Sequence, residues 1–139
     1  MLRIAFAALA LASAGSAAQA ADWKPFAAGP SGAQWFYDAA YSYKDAATGR
    51  VVVMQAIGKP SAKIGPNGPG AADGVGSVVA LDCKASNLLL VASYSPKTTP
   101  DLASTAWRTG KPKKVGRENA EDSALMAAAC AGAATLPSR

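Results

Sequence analysis

The chain of 139 residues contains no histidine and only two cysteines, Cys83 and Cys130. Without histidine it lacks the commonest general base and the commonest metal ligand of proteins. Two cysteines make a poor structural zinc site, and their spacing differs from the Cys-x-x-Cys of dithiol oxidoreductases. No Gly-x-Ser-x-Gly run and no phosphate-binding loop is present. These absences disfavour an enzyme, and the sequence implies no cofactor or metal.

Long apolar runs are also missing after the first part of the chain. Residues 1–20 contain Arg3, an apolar stretch at residues 4–12 and the small-residue pattern Ala18-Gln19-Ala20. This order is typical of a secretory signal peptide cleaved near Ala20, and it fits a buried alanine-rich helix less well. The stretch is too short to span a bilayer. We expect residues 21–139 to form a single exported domain, periplasmic or secreted.

The predicted mature chain is moderately basic. Cleavage removes Arg3 from the 14 basic residues and leaves the 9 acidic residues in place, so the net charge falls from +5 to +4. Such a charge favours anionic partners such as glycans, lipid headgroups or acidic proteins, whereas nucleic acid is disfavoured for an exported protein without a recognisable binding motif. The sequence leaves a monomer and a homodimer equally open.

The pattern of apolar and turn residues predicts an α+β domain. We expect an antiparallel sheet of about five to six strands with a C-terminal helix packed on it. Residues 34–43 carry aromatics at period two, which indicates one strand or two short strands with a kink near Asp38. The other predicted elements are a surface segment (21–33), strands at 50–57, 75–83, 88–95 (the central strand) and 103–109, and a helix at 120–134. Residues 58–74 carry three prolines and five glycines and predict a long loop, either a binding loop or a mobile tip.

The two cysteines are expected to form one structural disulfide, because thiols in an exported protein oxidise. Cys83 shares one strand face with Val79 and Leu81. A helical stripe carries Cys130 together with Met126, Ala127, Ala133 and Ala134, and Leu125 lies off that stripe. The small residues of the stripe would let the helix approach the sheet closely enough for a bridge.

Charged residues give two further sites to consider. Five cations fall within ten residues and form a possible anionic-ligand patch: Arg108, Lys111, Lys113, Lys114 and Arg117. The alternative is a solvated loop between strand and helix. Asp38 and Asp82 are the acids embedded in strand-like sequence, and they would serve either as paired carboxylates or as acceptors for backbone N–H groups at a kink and a strand end.

The order of these features resembles the surface-adhesin protein E-like family. The resemblance is carried by the Trp-Phe-Tyr-Asp-Ala-Ala run at residues 35–40, the strand ending in Asp-Cys-Lys at residues 79–84 and the apolar strand at residues 88–94. Trp107 and Cys130 match the tryptophan and the terminal cysteine of the family. The resemblance implies an antiparallel sheet of about six strands whose terminal helix is tethered by a disulfide.

The resemblance also implies a role in adhesion through host matrix proteins. The signal peptide differs from that of the lipoprotein adhesin, since it lacks the cysteine for lipid attachment. The segment after Trp107 is also longer and more basic than the family pattern. We therefore expect a non-enzymatic exported protein that binds matrix proteins or anionic glycans. The alternative is a periplasmic inhibitor or envelope assembly factor that inserts residues 58–74 into a protein partner.

Overall fold

A computed structural model describes residues 21–58, 75–95 and 101–139. The predicted signal peptide with its cleavage site lies outside these residues, and so do residues 59–74 of the predicted long loop. The described strands, in chain order, are β1 (Trp23–Ala28), β2 (Gln34–Asp38), β3 (Tyr43–Lys44), β4 (Val51–Gly58), β5 (Gly76–Asp82), β6 (Asn87–Tyr94) and β7 (Lys113–Lys114). One α-helix, α1 (Ala120–Ala131), follows the strands, and short 3-10 helices lie at Pro30–Gly32, Ala106–Thr109 and Ala133–Thr135.

The seven described strands form one antiparallel sheet in the order β1-β2-β4-β5-β6-β7. β2 and β3 share one position beside β4, because β2 pairs with residues 55–58 and β3 with Val51 and Val52. This arrangement confirms the prediction of an α+β fold. It also confirms that residues 34–43 form two short strands with a kink near Asp38, and not one continuous strand. Asp38 forms the kink, since its Oδ1 accepts the N–H groups of Asp22 at 2.9 Å, Ala40 at 3.0 Å and Tyr41 at 3.3 Å.

β4 lies in the middle of the sheet, and both of its faces are covered. Its first six residues, Val-Val-Val-Met-Gln-Ala, are all buried. An unbroken apolar run replaces alternation when neither face of a strand meets water. β5 follows the same logic, with Val78, Val79, Ala80 and Leu81 buried in succession.

The two sheet faces support separate cores. On the helix face, Val51, Val53, Val79 and Leu81 pack with residues of α1. On the opposite face, Val52, Met54, Val78 and Leu89 pack with a set of partly buried aromatic side chains, which are Trp23, Tyr41, Tyr43 and Trp107. Aromatic rings from short segments therefore cover a sheet face that has no described α-helix.

The disulfide between Cys83 and Cys130 is present, as predicted, with a Cα–Cα distance of 5.8 Å. Cys83 follows β5 on the helix face, and Cys130 lies in the last turn of α1. The predicted helix stripe is confirmed in part, because Met126, Cys130 and Ala133 pack against the core, but its centre was wrong. Leu125 and Ala129 are the buried residues of α1, whereas Ala127 is exposed and Ala134 lies beyond its end. Alanine on every side of this helix gives little contrast in hydrophobicity, so the sequence could not orient it.

Three other element predictions need correction. Residues 23–28, predicted as part of a surface segment, form strand β1. Pro25 does not prevent this, because β1 is an edge strand and an edge strand tolerates a proline. Residues 106–109 form a 3-10 helix that holds Trp107 against the sheet, and the last strand is β7, within the predicted basic loop. β6 is not central, because within the described part of the chain its neighbour beyond β5 is the two-residue β7, and Leu90 is 55% exposed.

Candidate functional site

The basic segment, residues 108–117, is built from three different local structures. Arg108 belongs to the 3-10 helix Ala106–Thr109, Lys111 to the connection that follows, and Lys113 and Lys114 to β7. Arg117 precedes α1. Although these five cations are close in sequence, their side chains therefore have different surroundings.

Arg108 binds a buried carboxylate. Its guanidinium donates to Asp45 Oδ1, and the Asp45 side chain is only 2% exposed. Thr48 donates to Asp45 Oδ2 through its N–H at 3.0 Å and its hydroxyl at 2.6 Å. Burial alone would raise the pKa of Asp45, but the hydrogen bonds from Thr48 and Arg108 outweigh it and hold that pKa below its usual value. Arg108 thus links the segment around Trp107 to the turn between β3 and β4.

Lys113 and Lys114 lie on opposite faces of the sheet. Lys113 pairs with Leu88 and Lys114 with Asn87, and cross-strand partners share a face. Leu88 belongs to the core beneath α1, so Lys113 lies on the helix face. There its Nζ contacts Asp122 Oδ2 in the first turn of α1 at 2.7 Å. A carboxylate at this position also interacts favourably with the helix dipole.

The other three cations are exposed. Within the described part of the chain, Lys111, Lys114 and Arg117 take part in no salt bridge. Their charges are therefore available to a partner, whereas those of Arg108 and Lys113 are already matched by carboxylates. We call these three residues the free basic set.

Asp38 and Asp82 are not brought together. Asp38 holds the kink between β2 and β3, as described above. Asp82 ends β5, and its Oδ1 accepts the N–H groups of Ala85 at 2.9 Å and Lys84 at 3.0 Å. These two hydrogen bonds, the one from Ala85 foremost, hold the pKa of Asp82 below its usual value. Both acids thus accept hydrogen bonds from the backbone, as one of the two sequence interpretations expects.

A second charged region was missed by the sequence analysis. A cleft of about 310 Å³ lies beside the disulfide, lined by Lys44, Thr48, Gly49, Arg50, Val51, Asp82, Cys83, Lys84 and Ala133. Its cations come from β3, from the residue before β4 and from the turn after β5, so no run of basic residues marks it in the sequence. The one feature that could have predicted this cleft is the pairing of β4 with β5. Val51 lies opposite Leu81 in this pairing, which brings Arg50 next to Asp82.

Among the residues that the structure describes, no group of three or more cysteine, aspartate or glutamate side chains could hold a metal ion. No helix in the same part of the chain is long and apolar enough to cross a membrane. Comparison of the chain with protein-family models, with curated proteins and with solved structures gives no match. The resemblance to protein E-like adhesins therefore stays a prediction made from sequence motifs.

Proposed function

We propose that the protein is an exported, non-enzymatic binding protein whose partner is an anionic polymer, either a glycan or an acidic region of a matrix protein. The observation that carries the proposal is the free basic set, in which Lys111, Lys114 and Arg117 are exposed without a carboxylate partner among the described residues. Three exposed cations within seven residues of the chain raise the positive potential of this part of the surface, which attracts a polyanion by long-range electrostatics.

Two features support export. The N-terminal pattern is that of a secretory signal peptide, and the disulfide between Cys83 and Cys130 is the kind of bond that persists in oxidising compartments. The non-enzymatic part of the proposal is supported by Asp38 and Asp82, since both carboxylates accept backbone N–H groups. The alternative role as an inhibitor or assembly factor depends on residues 59–74, which lie outside the described residues.

Retention on a heparin column tests the proposal. We expect the variant Lys111→Gln/Lys114→Gln to elute at a lower salt concentration than the wild type. It makes two fewer ionic contacts with the sulfated chain, so less salt is needed to screen those that remain. Adding Arg117→Gln should lower the elution point further. The matched control is Lys24→Glu, which removes the same two charge units on the edge strand β1, where Lys24 is exposed.

The control separates a local site from net charge. If Lys24→Glu eluted as early as the double variant, only the total charge would matter and the free basic set would not be a binding site. A wild-type protein that passed through the column without retention would remove sulfated glycans from consideration. Crosslinking in intact cells would then show whether the partner is a protein.

A further inference from the structure

The cleft beside the disulfide has a composition that the proposed function does not use. Among the described residues, its lining carries three cations, Lys44, Arg50 and Lys84, and one carboxylate, Asp82. These charges leave the cleft with a net charge of +2. Its volume of about 310 Å³ lies at the lower end of the range for small-ligand sites.

Arg50 is the most informative residue of the cleft, because it is mostly buried and weakly bonded. Its side chain is 14% exposed. Its Nη1 lies 3.5 Å from the carbonyl oxygen of Ala80, and its Nη2 lies 3.9 Å from Asp82 Oδ2. Both distances are longer than good hydrogen bonds, and a guanidinium has five N–H donors. A mostly buried guanidinium with two long contacts retains the capacity to donate to a ligand.

The two lysines add positive charge to the cleft. Within the described residues, neither Lys44 nor Lys84 takes part in a salt bridge. Asp82 already accepts two backbone N–H groups through Oδ1, which fixes the turn that carries Lys84. The carboxylate is thus held in place by the backbone, and the cations around it stay available.

The backbone also limits what the cleft recognises. The amide of Gly49 donates to the carbonyl of Asp45, and the amide of Thr48 donates to its carboxylate. These N–H groups are therefore engaged within the turn, so recognition falls to the three cationic side chains. Val51, Cys83 and Ala133 form the apolar part of the wall.

We propose that this cleft is a binding site for a small phosphate ester in its dianionic form. The net charge of +2 matches a dianion better than a monoanionic carboxylate or sulfate ester. A guanidinium binds phosphate through two parallel N–H···O bonds, and ammonium groups supply point charges around it. The apolar wall would contact the organic part of the ester. The site is separate from the free basic set and does not depend on the proposed function.

Titration of the oxidised, ¹⁵N-labelled protein with glucose 6-phosphate tests the proposal, with glucose 6-sulfate as the matched monoanionic probe. At pH 7.5 the phosphate ester is dianionic, because its second pKa is near 6. We expect saturable shifts of the amide signals of Thr48, Gly49 and Lys84 with glucose 6-phosphate. The sulfate should bind about tenfold more weakly, and phosphate affinity should fall toward pH 5 as the dianion is protonated.

Variants of the cations provide the second arm. We expect Lys84→Gln, a change at an exposed side chain, to weaken phosphate binding about fivefold, since it removes one charge-assisted hydrogen bond that is partly screened by solvent. Arg50→Lys keeps the charge and removes the planar fork, so it should weaken binding further. The control Lys24→Gln removes one charge from the exposed edge strand β1, outside both the cleft and the free basic set, and should bind glucose 6-phosphate like the wild type.

Three results would overturn the assignment. Equal affinity for the sulfate and the phosphate would show that the cleft does not select a dianion. Shifts that grow without saturation, or that are unchanged in Lys84→Gln, would show general attraction to basic side chains. If Arg50→Lys fails to fold, Lys84→Gln alone decides the test. Binding of glucose 6-phosphate to the cleft is compatible with either outcome of the heparin experiment.

Discussion

Asp45 is a buried carboxylate that joins two segments of the chain far apart in sequence. Its partners are Thr48 in its own turn and Arg108, 63 residues later. Breaking a buried pair from one side leaves the other charge without its partner, and the cost is larger than the net value of the pair. At the scale of single residues this contact joins the Trp107 segment to the turn between β3 and β4, in addition to the packing of Trp107 itself.

We expect Arg108→Gln to lower the free energy of unfolding by about 2 kcal/mol, because the Asp45 carboxylate would be buried with only the Thr48 donors. Arg117→Gln, at an exposed cation without a carboxylate partner in the described chain, is the control and should change stability by less than about 0.5 kcal/mol. Urea denaturation measures both. Equal stability of the two variants would contradict a structural role for Arg108.

The same contact makes stability depend on pH in a definite direction. The pKa of Asp45 is lower in the folded protein than in the unfolded chain, so its contribution is complete above the unfolded value of about 3.9 and is lost as the pH falls through the folded value. We expect the unfolding free energy to fall below about pH 4, and to fall less steeply in Asp45→Asn. Thermal unfolding between pH 2 and pH 6 measures this, and parallel curves for the two proteins would contradict it.

At the scale of elements, α1 shows where the sequence was informative and where it was not. Its position was predictable from the break at Pro137 and from the acids Glu121 and Asp122 in the first turn. Its orientation was not, because alanine residues occupy both the buried and the exposed sides. Contact with the sheet decides which side is buried, and that contact is set by β1 and β4.

We expect Leu125→Ala to lower the free energy of unfolding by about 3 kcal/mol, since Leu125 is fully buried and truncation leaves a cavity. Met126→Ala should cost less, because Met126 is only partly buried against the same core. Chemical denaturation of the two variants compares adjacent positions on one helix. A larger decrease in the free energy of unfolding for Met126→Ala than for Leu125→Ala would contradict this and would favour the helix stripe predicted from the sequence.

The strands also divide into those that the sequence predicts and those that it does not. β4 and β5 were predictable because an apolar run bounded by turn residues has few alternatives. β1 and β7 were not, since their pairing depends on neighbours: β1 on β2, and β7 on Asn87 and Leu88 of β6. The five sequence-adjacent cations were visible as a cluster, but the faces on which they lie depend on strand register. The cleft beside the disulfide needed three separated segments to be brought together, which no local pattern encodes.

At the scale of the whole molecule, the disulfide closes a loop with a sequence separation of 47. We expect Cys83→Ala/Cys130→Ala to lower the free energy of unfolding by about 4 kcal/mol, because the bridge restricts the unfolded chain. Hydrogen exchange should rise first in α1, which loses its covalent link to the sheet. Reductant should reproduce both effects in the wild type and change nothing in the double variant. Uniform exchange across sheet and helix would contradict the tether.

The packing of α1 against β1 also has a consequence for the order in which the chain is made. Phe26 lies on the edge strand β1 and Tyr37 on the neighbouring strand β2, and both rings pack on the core that α1 completes. Ribosomes release β1 and β2 long before α1, so these rings have no cover during synthesis. Exposed aromatic strands at a sheet edge are prone to aggregate. The apolar surface of β1 and β2 therefore stays uncovered until the last helix of the chain has been made and can pack on it.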